Sequence, residues 1–142
     1  MSFKDFDPKP VFRSFNRLVG DGDVGGKARG LAFAYTVITG SDLEPSVVLP
    51  DINYVITTEI FSEFMEDNGI RDVLGRALSN APESGEEAGE LIYGAMQEAF
   101  AKGTVRDAFL SELAIILDNI GDVPLAVRSS SILEDSTKLS FA

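Results

Sequence analysis

GDGDVGGKARGLAFAYTVIT, residues 20–39, is the stretch on which the reading of this chain turns. Gly20, Gly22, Gly25 and Gly26 fall within seven positions and open backbone conformations closed to residues with a Cβ, which predicts a tight loop. From Lys27 onward the residues favour helix, and Leu31, Ala34, Tyr35 and Ile38 share one face. A glycine loop entering a helix offers an anion close backbone approach, N–H groups with partial positive charge and, here, the full charge of Lys27. Phosphate is the natural ligand of Gly25, Gly26 and Lys27. The loop is not a Walker A motif, because Asp21 and Ala28 stand where that motif needs a glycine and a Ser or Thr. The same residues also suit a plain glycine turn followed by a solvated lysine.

On the N-terminal side, residues 1–13 are polar, carry Pro8 and Pro10, and read as an arm. SFNRLVG (14–20) alternates as a short strand does. On the C-terminal side, Gly40 to Pro50 is a connection with a β-branched stretch at Val47 and Val48, and NYVITT (53–58) predicts a strand. Thr58 is placed to cap a helix bearing Ile60, Phe61, Phe64 and Met65, closed by Asn68 and Gly69. A turn or two of helix follows in IRDVLGRALSN (70–80). Two longer helices carry apolar stripes, one through Leu91, Ile92, Ala95, Met96, Ala99 and Phe100, the other through Val105, Phe109, Leu113, Ile116, Leu117 and Ile120. Gly103 separates them and Gly121 caps the second. VPLAVRSS (123–130) reads as a buried strand running into a polar loop.

The expected architecture is α+β, a small sheet with a helical block on one side, forming a single partial domain over 1–142. Its parts are an arm (1–13), a strand, glycine loop, helix and strand (14–57), the helical block (58–122), and a strand with a polar loop (123–142).

Composition removes several classes of function. The chain has no Cys and no His, so thiolate nucleophiles, Ser-His-Asp triads and His or Cys metal sites are out. The net charge is −11, and residues 58–122 hold 14 acidic against 4 basic residues. Nucleic acid would need a basic stripe, and none exists. With no membrane-length apolar run and no signal peptide, a cytoplasmic location is expected.

The second segment with chemical content is VRSSSILEDSTKLSFA (127–142). Arg128 follows an apolar run, and a guanidinium grips two phosphate oxygens at once. Ser129, Ser130 and Ser131 add hydroxyls, and Glu134 and Asp135 are placed to orient Arg128 or lie near a metal-bound phosphate. Taken alone, this segment reads better as a polar surface loop with a local salt bridge.

GGKARGL (25–31), LPDINYVITT (49–58) and VRSSSILEDSTKLSFA together resemble, in order, three motifs of the ATP-binding domain of pyruvate phosphate dikinase and phosphoenolpyruvate synthase. The resemblance covers the whole chain, and the last motif is the most specific. It implies the front portion of an ATP-grasp-like domain with ATP, and magnesium bound outside this chain, as cofactors. By motif position Gly25, Gly26, Lys27, Arg128, Ser129, Ser130, Glu134 and Asp135 would bind the nucleotide, with no catalytic or metal residue of their own. Enzymes of this family split ATP to AMP, phosphate and a phosphohistidine on another domain, so the remaining domains of a parent protein are the expected partners and this piece alone is expected to be inactive. The chain departs from the family at Ala28, Arg29 and Gly30, and at Ile52 and Asn53. Residues 129–142 are expected to be mobile or to pair with a second copy, which makes a homo-oligomer possible. The alternative is a non-catalytic sensory or interaction module using the acidic block 58–122 as its partner surface.

Overall fold

The computed structural model describes residues 2–41, 53–82 and 85–131. A 3-10 turn (Phe3–Asp5) is followed by α1 (Lys9–Ser14), β1 (Leu18–Val19), α2 (Gly26–Thr39), β2 (Val55–Ile56), α3 (Thr58–Asp67), α4 (Ile70–Asn80), α5 (Glu86–Lys102) and α6 (Asp107–Ile120). The described residues are therefore mostly helical around one small parallel sheet, an α+β arrangement. The expectation for Val47 and Val48 lies outside them.

The chain divides into two compact units, Met1–Glu59 with Ile120–Ala142, and Ile60–Asn119. In the first, the expected arm is instead part of the core. Phe6 and Phe12 are buried with Val24, Ala32 and Val55, and Phe33 meets the rings of Phe3 and Phe6 edge-on at 5.3 and 5.4 Å. Lone aromatics in a polar, proline-bearing run give no periodic signal, which is why this packing was hidden. Pro10 sits in the first turn of α1, where a missing N–H costs nothing. Asn16, with φ 55°, ends that helix and lets the Arg17 N–H donate back to the Phe12 carbonyl at 2.8 Å. α2 turns Ala32 furthest inward, whereas the predicted Leu31, Ala34, Tyr35 and Ile38 face is only half-buried, because this helix is apolar on nearly every side.

β1 and β2 pair in parallel, Leu18 opposite Val55 and Val19 opposite Ile56. A parallel pair needs a crossover, and α2 lies in it. The Arg17 guanidinium lies over the Tyr54 ring at 5.2 Å, while its buried Nη1 has no hydrogen-bond partner.

The strand expected in VPLAVRSS does not form. Residues 121–131 carry neither helix nor strand, and Val123, Leu125 and Val127 are 45%, 46% and 97% exposed. Among the described residues β1 and β2 pair only with each other, so this run has no ladder to join, and Pro124 removes a donor from its middle.

In the second unit, α3 ends at Asn68 and Gly69, the latter with φ 60°. Asn68 clasps the loop after α5: its Nδ2 donates to the Thr104 carbonyl at 3.0 Å and its Oδ1 accepts from the Thr104 N–H at 2.8 Å. Gly103 is needed beside this clasp, since a Cβ there would sit 2.4 Å from the Phe64 ring. That ring stacks on Phe100 at 5.7 Å. Arg106 completes the junction, donating to Asp67 through Nε at 2.5 Å and Nη2 at 2.8 Å and pairing with Glu63. α4 buries Ile70 completely and packs with α5, whose stripe of Ala88, Ile92, Ala95, Met96 and Ala99 turns inward. α6 has no fully buried residue.

Replacing Phe12 with Ala should cost the first unit about 3–5 kcal/mol, read as a lowered urea midpoint. In the second unit the Arg106 hydrogen bond holds the Asp67 carboxyl below its ordinary value. A depressed carboxylate contributes stability that is complete above its unfolded value of about 3.9 and is lost as pH falls through the folded one. Asp67→Asn should therefore be less stable than the wild type at pH 7, and the gap should close towards pH 3.

Candidate functional site

The glycine loop is fixed by the residues that end β2 and open α3. The Asp21 N–H donates to Glu59 Oε2 at 2.6 Å, the Gly22 N–H to Thr57 Oγ1 at 3.1 Å and the Asp23 N–H to Thr58 Oγ1 at 2.9 Å. The Thr58 N–H returns a bond to the Asp23 carbonyl at 3.0 Å. Three successive loop donors are thus taken by three successive side chains. Gly22 is required here, because a Cβ would lie 2.4 Å from the Glu59 nitrogen. Thr57 is the one buried polar residue among those described, 2% exposed. Its burial is tolerated because its hydroxyl accepts from Gly22.

The start of α2 is engaged from the far end of the sequence. The Gly26 N–H donates to the Ser131 carbonyl at 3.2 Å, the Ala28 N–H to Ser130 Oγ at 3.3 Å, and Lys27 Nζ to the Ser129 carbonyl at 3.1 Å. Gly25 is buried, and a Cβ on it would fall 1.9 Å from the Ser130 carbonyl oxygen. Only glycine lets the serine segment lie where it does.

The structure therefore brings together Gly25, Gly26, Lys27, Ser129 and Ser130, which sequence reasoning had in two separate places. Arg128, next in the chain, is exposed and makes no ion pair among the described residues. Glu134 and Asp135 lie outside the described residues. The expectation that the tail from 129 is mobile or paired with another copy does not hold for 129–131, which pack on their own chain through these bonds; the remainder lies outside the described residues. Thr57, Thr58 and Glu59 were missed as loop anchors. Only Thr58 had drawn attention, as a helix cap, and nothing in a single sequence ties residue 59 to residue 21.

Beside the loop lies a cleft of about 310 Å³ in which Lys4, Lys9 and Arg29 are interspersed with Asp5, Asp7 and Asp23. Equal numbers of both signs give it no net pull on an anion. Among the described residues no three Asp, Glu, His or Cys side chains converge as a metal site, and no helix is long and apolar enough to cross a membrane.

The model of the family described as pyruvate phosphate dikinase, AMP/ATP-binding domain, matches residues 22–142. No curated protein and no solved structure matches the chain.

Thr57→Val keeps the shape but leaves the half-buried Gly22 donor without its partner, and should cost about 1 kcal/mol in chemical denaturation. Gly25→Ala should expel residues 129–131 from the start of α2, measurable as faster tryptic cleavage after Arg128 with unchanged helical circular dichroism.

Proposed function

Because the chain belongs to the pyruvate phosphate dikinase AMP/ATP-binding domain family, we propose that its first unit binds the phosphates of ATP at the start of α2. The carrying observation is that Lys27 and residues 129–131, a hundred residues apart in sequence, meet at the start of one helix, with Arg128 next in the chain. Phosphoryl transfer is governed by positioning and charge neutralisation, which is the chemistry a lysine, an arginine and a helix N-terminus supply. In this reading Lys27 and Arg128 hold the β- and γ-phosphates, Gly25 and Gly26 allow close backbone approach, and Ser129 and Ser130 shape the loop that carries Arg128. Glu134 and Asp135 enter by motif position alone, as orienters of Arg128. Magnesium travels with the ATP phosphates, and in this reading its ligands come from outside this chain.

The two units are read as the front portion of one ATP-grasp-like domain in a cytoplasmic phosphotransferase. Another domain of the parent would carry the phosphorylated histidine, so this piece binds nucleotide without turning it over. A second reading, an interaction module, is favoured by one feature of the helical unit. Among its described residues Phe61, Leu78, Tyr93 and Ile115 are each more than half exposed.

Lys27→Ala and Arg128→Ala should each weaken ATP binding about tenfold or more, the loss of a charge-assisted contact, while leaving the unfolding midpoint nearly unchanged. Equilibrium dialysis with labelled ATP checks this. Undiminished binding by both variants removes these two residues from the site, and a partner whose capture depends on Tyr93 and Ile115 with no response to ATP would favour the second reading.

A further inference from the structure

We propose that residues 122–128 are a strand whose partner is the same segment of a second copy of this chain, the two running antiparallel about Leu125. The run DVPLAVR has strand-forming residues, yet within one chain it joins no ladder.

Two observations mark it as unpartnered. All seven residues are exposed, Val127 almost wholly so. The backbone hydrogen bond that they make among the described residues is the local one from the Val123 N–H to the Gly121 carbonyl. Apolar, strand-prone backbone with free donors and acceptors is what another strand pairs with.

The residues themselves set the register. Asp122 and Arg128 stand at equal distances on either side of Leu125. Antiparallel pairing about Leu125 therefore sets Asp122 opposite the partner's Arg128 at both ends, Val123 opposite the partner's Val127, and Leu125 opposite its own counterpart. Side chains two apart share a face, so the exposed apolar residues of both copies stack across the pair, between opposite charges at its ends. Pro124 suits this ladder. With Val123, Leu125 and Val127 turning N–H and C=O to the partner, Pro124 falls where an N–H would face away, and its missing donor costs nothing. Asp122 and Arg128 then occupy the closer, non-hydrogen-bonded pairs, about 4.5 Å between Cα atoms. A slip of one residue would lose both ion pairs and put the apolar side chains of the two copies on opposite faces. The segment is also held at its far end, because residues 129–131 are bonded to the start of α2, so less freedom is lost on pairing.

The net charge of −11 on each copy opposes association, so the pair is weak and is best sought at about 0.15 M salt, where the Debye length is about 8 Å. Sedimentation of the full chain at up to about 1 mM tests it, and a dimer with a dissociation constant on the order of 100 μM is expected. Nucleotide is left out, since an Arg128 engaged with phosphate is not available to Asp122. Asp122→Arg alone and Arg128→Asp alone each set like charges opposite one another at both ends and should weaken the dimer about tenfold or more, whereas an equimolar mixture of the two variants should recover it. As the wild-type concentration rises, the amides of Val123, Leu125 and Val127 should exchange with solvent more slowly, and that of Ala126 should not. A chain that stays monomeric throughout, a dimer that both variants form as well as the wild type, a mixture no tighter than either variant, or protection that does not alternate along 123–127 overturns the proposal.

Discussion

A tight glycine loop and the first turn of a helix together present a run of backbone N–H groups that their own segment cannot satisfy, and the first unit is organised around meeting that demand. Residues 57–59 answer the loop donors at 21–23, and residues 129–131 answer the start of α2. Each answer fixes something larger. The first ties the glycine loop to the end of β2; the second draws a distant polar segment against Lys27. An N–H left buried without a partner would cost about as much as one hydrogen bond at each point, and a domain of this size has only a modest stability from which to lose several.

The sequence made the local structure legible and concealed most of what is long-range. The loop followed by a helix at residues 20–39 could be read directly, because glycine spacing and helix propensity are properties of neighbours. The same holds for α3, α5 and α6, whose apolar stripes recur at helical intervals, and for β2, a β-rich run. By contrast, Phe6 and Phe12 are core residues in a stretch that reads as polar, since burial there depends on Phe33 and Val55 and not on any local pattern. VPLAVRSS looked like a strand because propensity cannot say whether a neighbouring ladder exists. The meeting of Lys27 with Ser129 was foreseen only through the family's motifs. Physical reasoning on each segment alone left the glycine loop evenly balanced between a phosphate site and a plain turn, and favoured a plain surface loop for residues 127–142.

The helical unit solves its own problem by different means. Its junction depends on one amide and one guanidinium. Asn68 presents an acceptor and a donor to the backbone of Thr104, as a neighbouring strand would, and Arg106 gathers Asp67 and Glu63, relieving part of the crowding of negative charge. With 14 acidic residues in 58–122, such pairing disperses repulsion that would otherwise oppose compaction.

Contacts spanning 102 residues also bear on how the chain is made and how it can vary. During synthesis α2 forms long before Ser130 has been added, so its first turn stays open until Ser130, 102 residues after Ala28, has been made. Closing so long a loop costs little more than closing one of half the length, about 0.6 kcal/mol per doubling. The chain leaves the loop region at Glu59 and returns to it at Ser129, and what lies between is free in length as far as these anchors are concerned. Residues 60–119 can therefore be enlarged, trimmed or exchanged in the course of descent while the two ends still meet at the same helix.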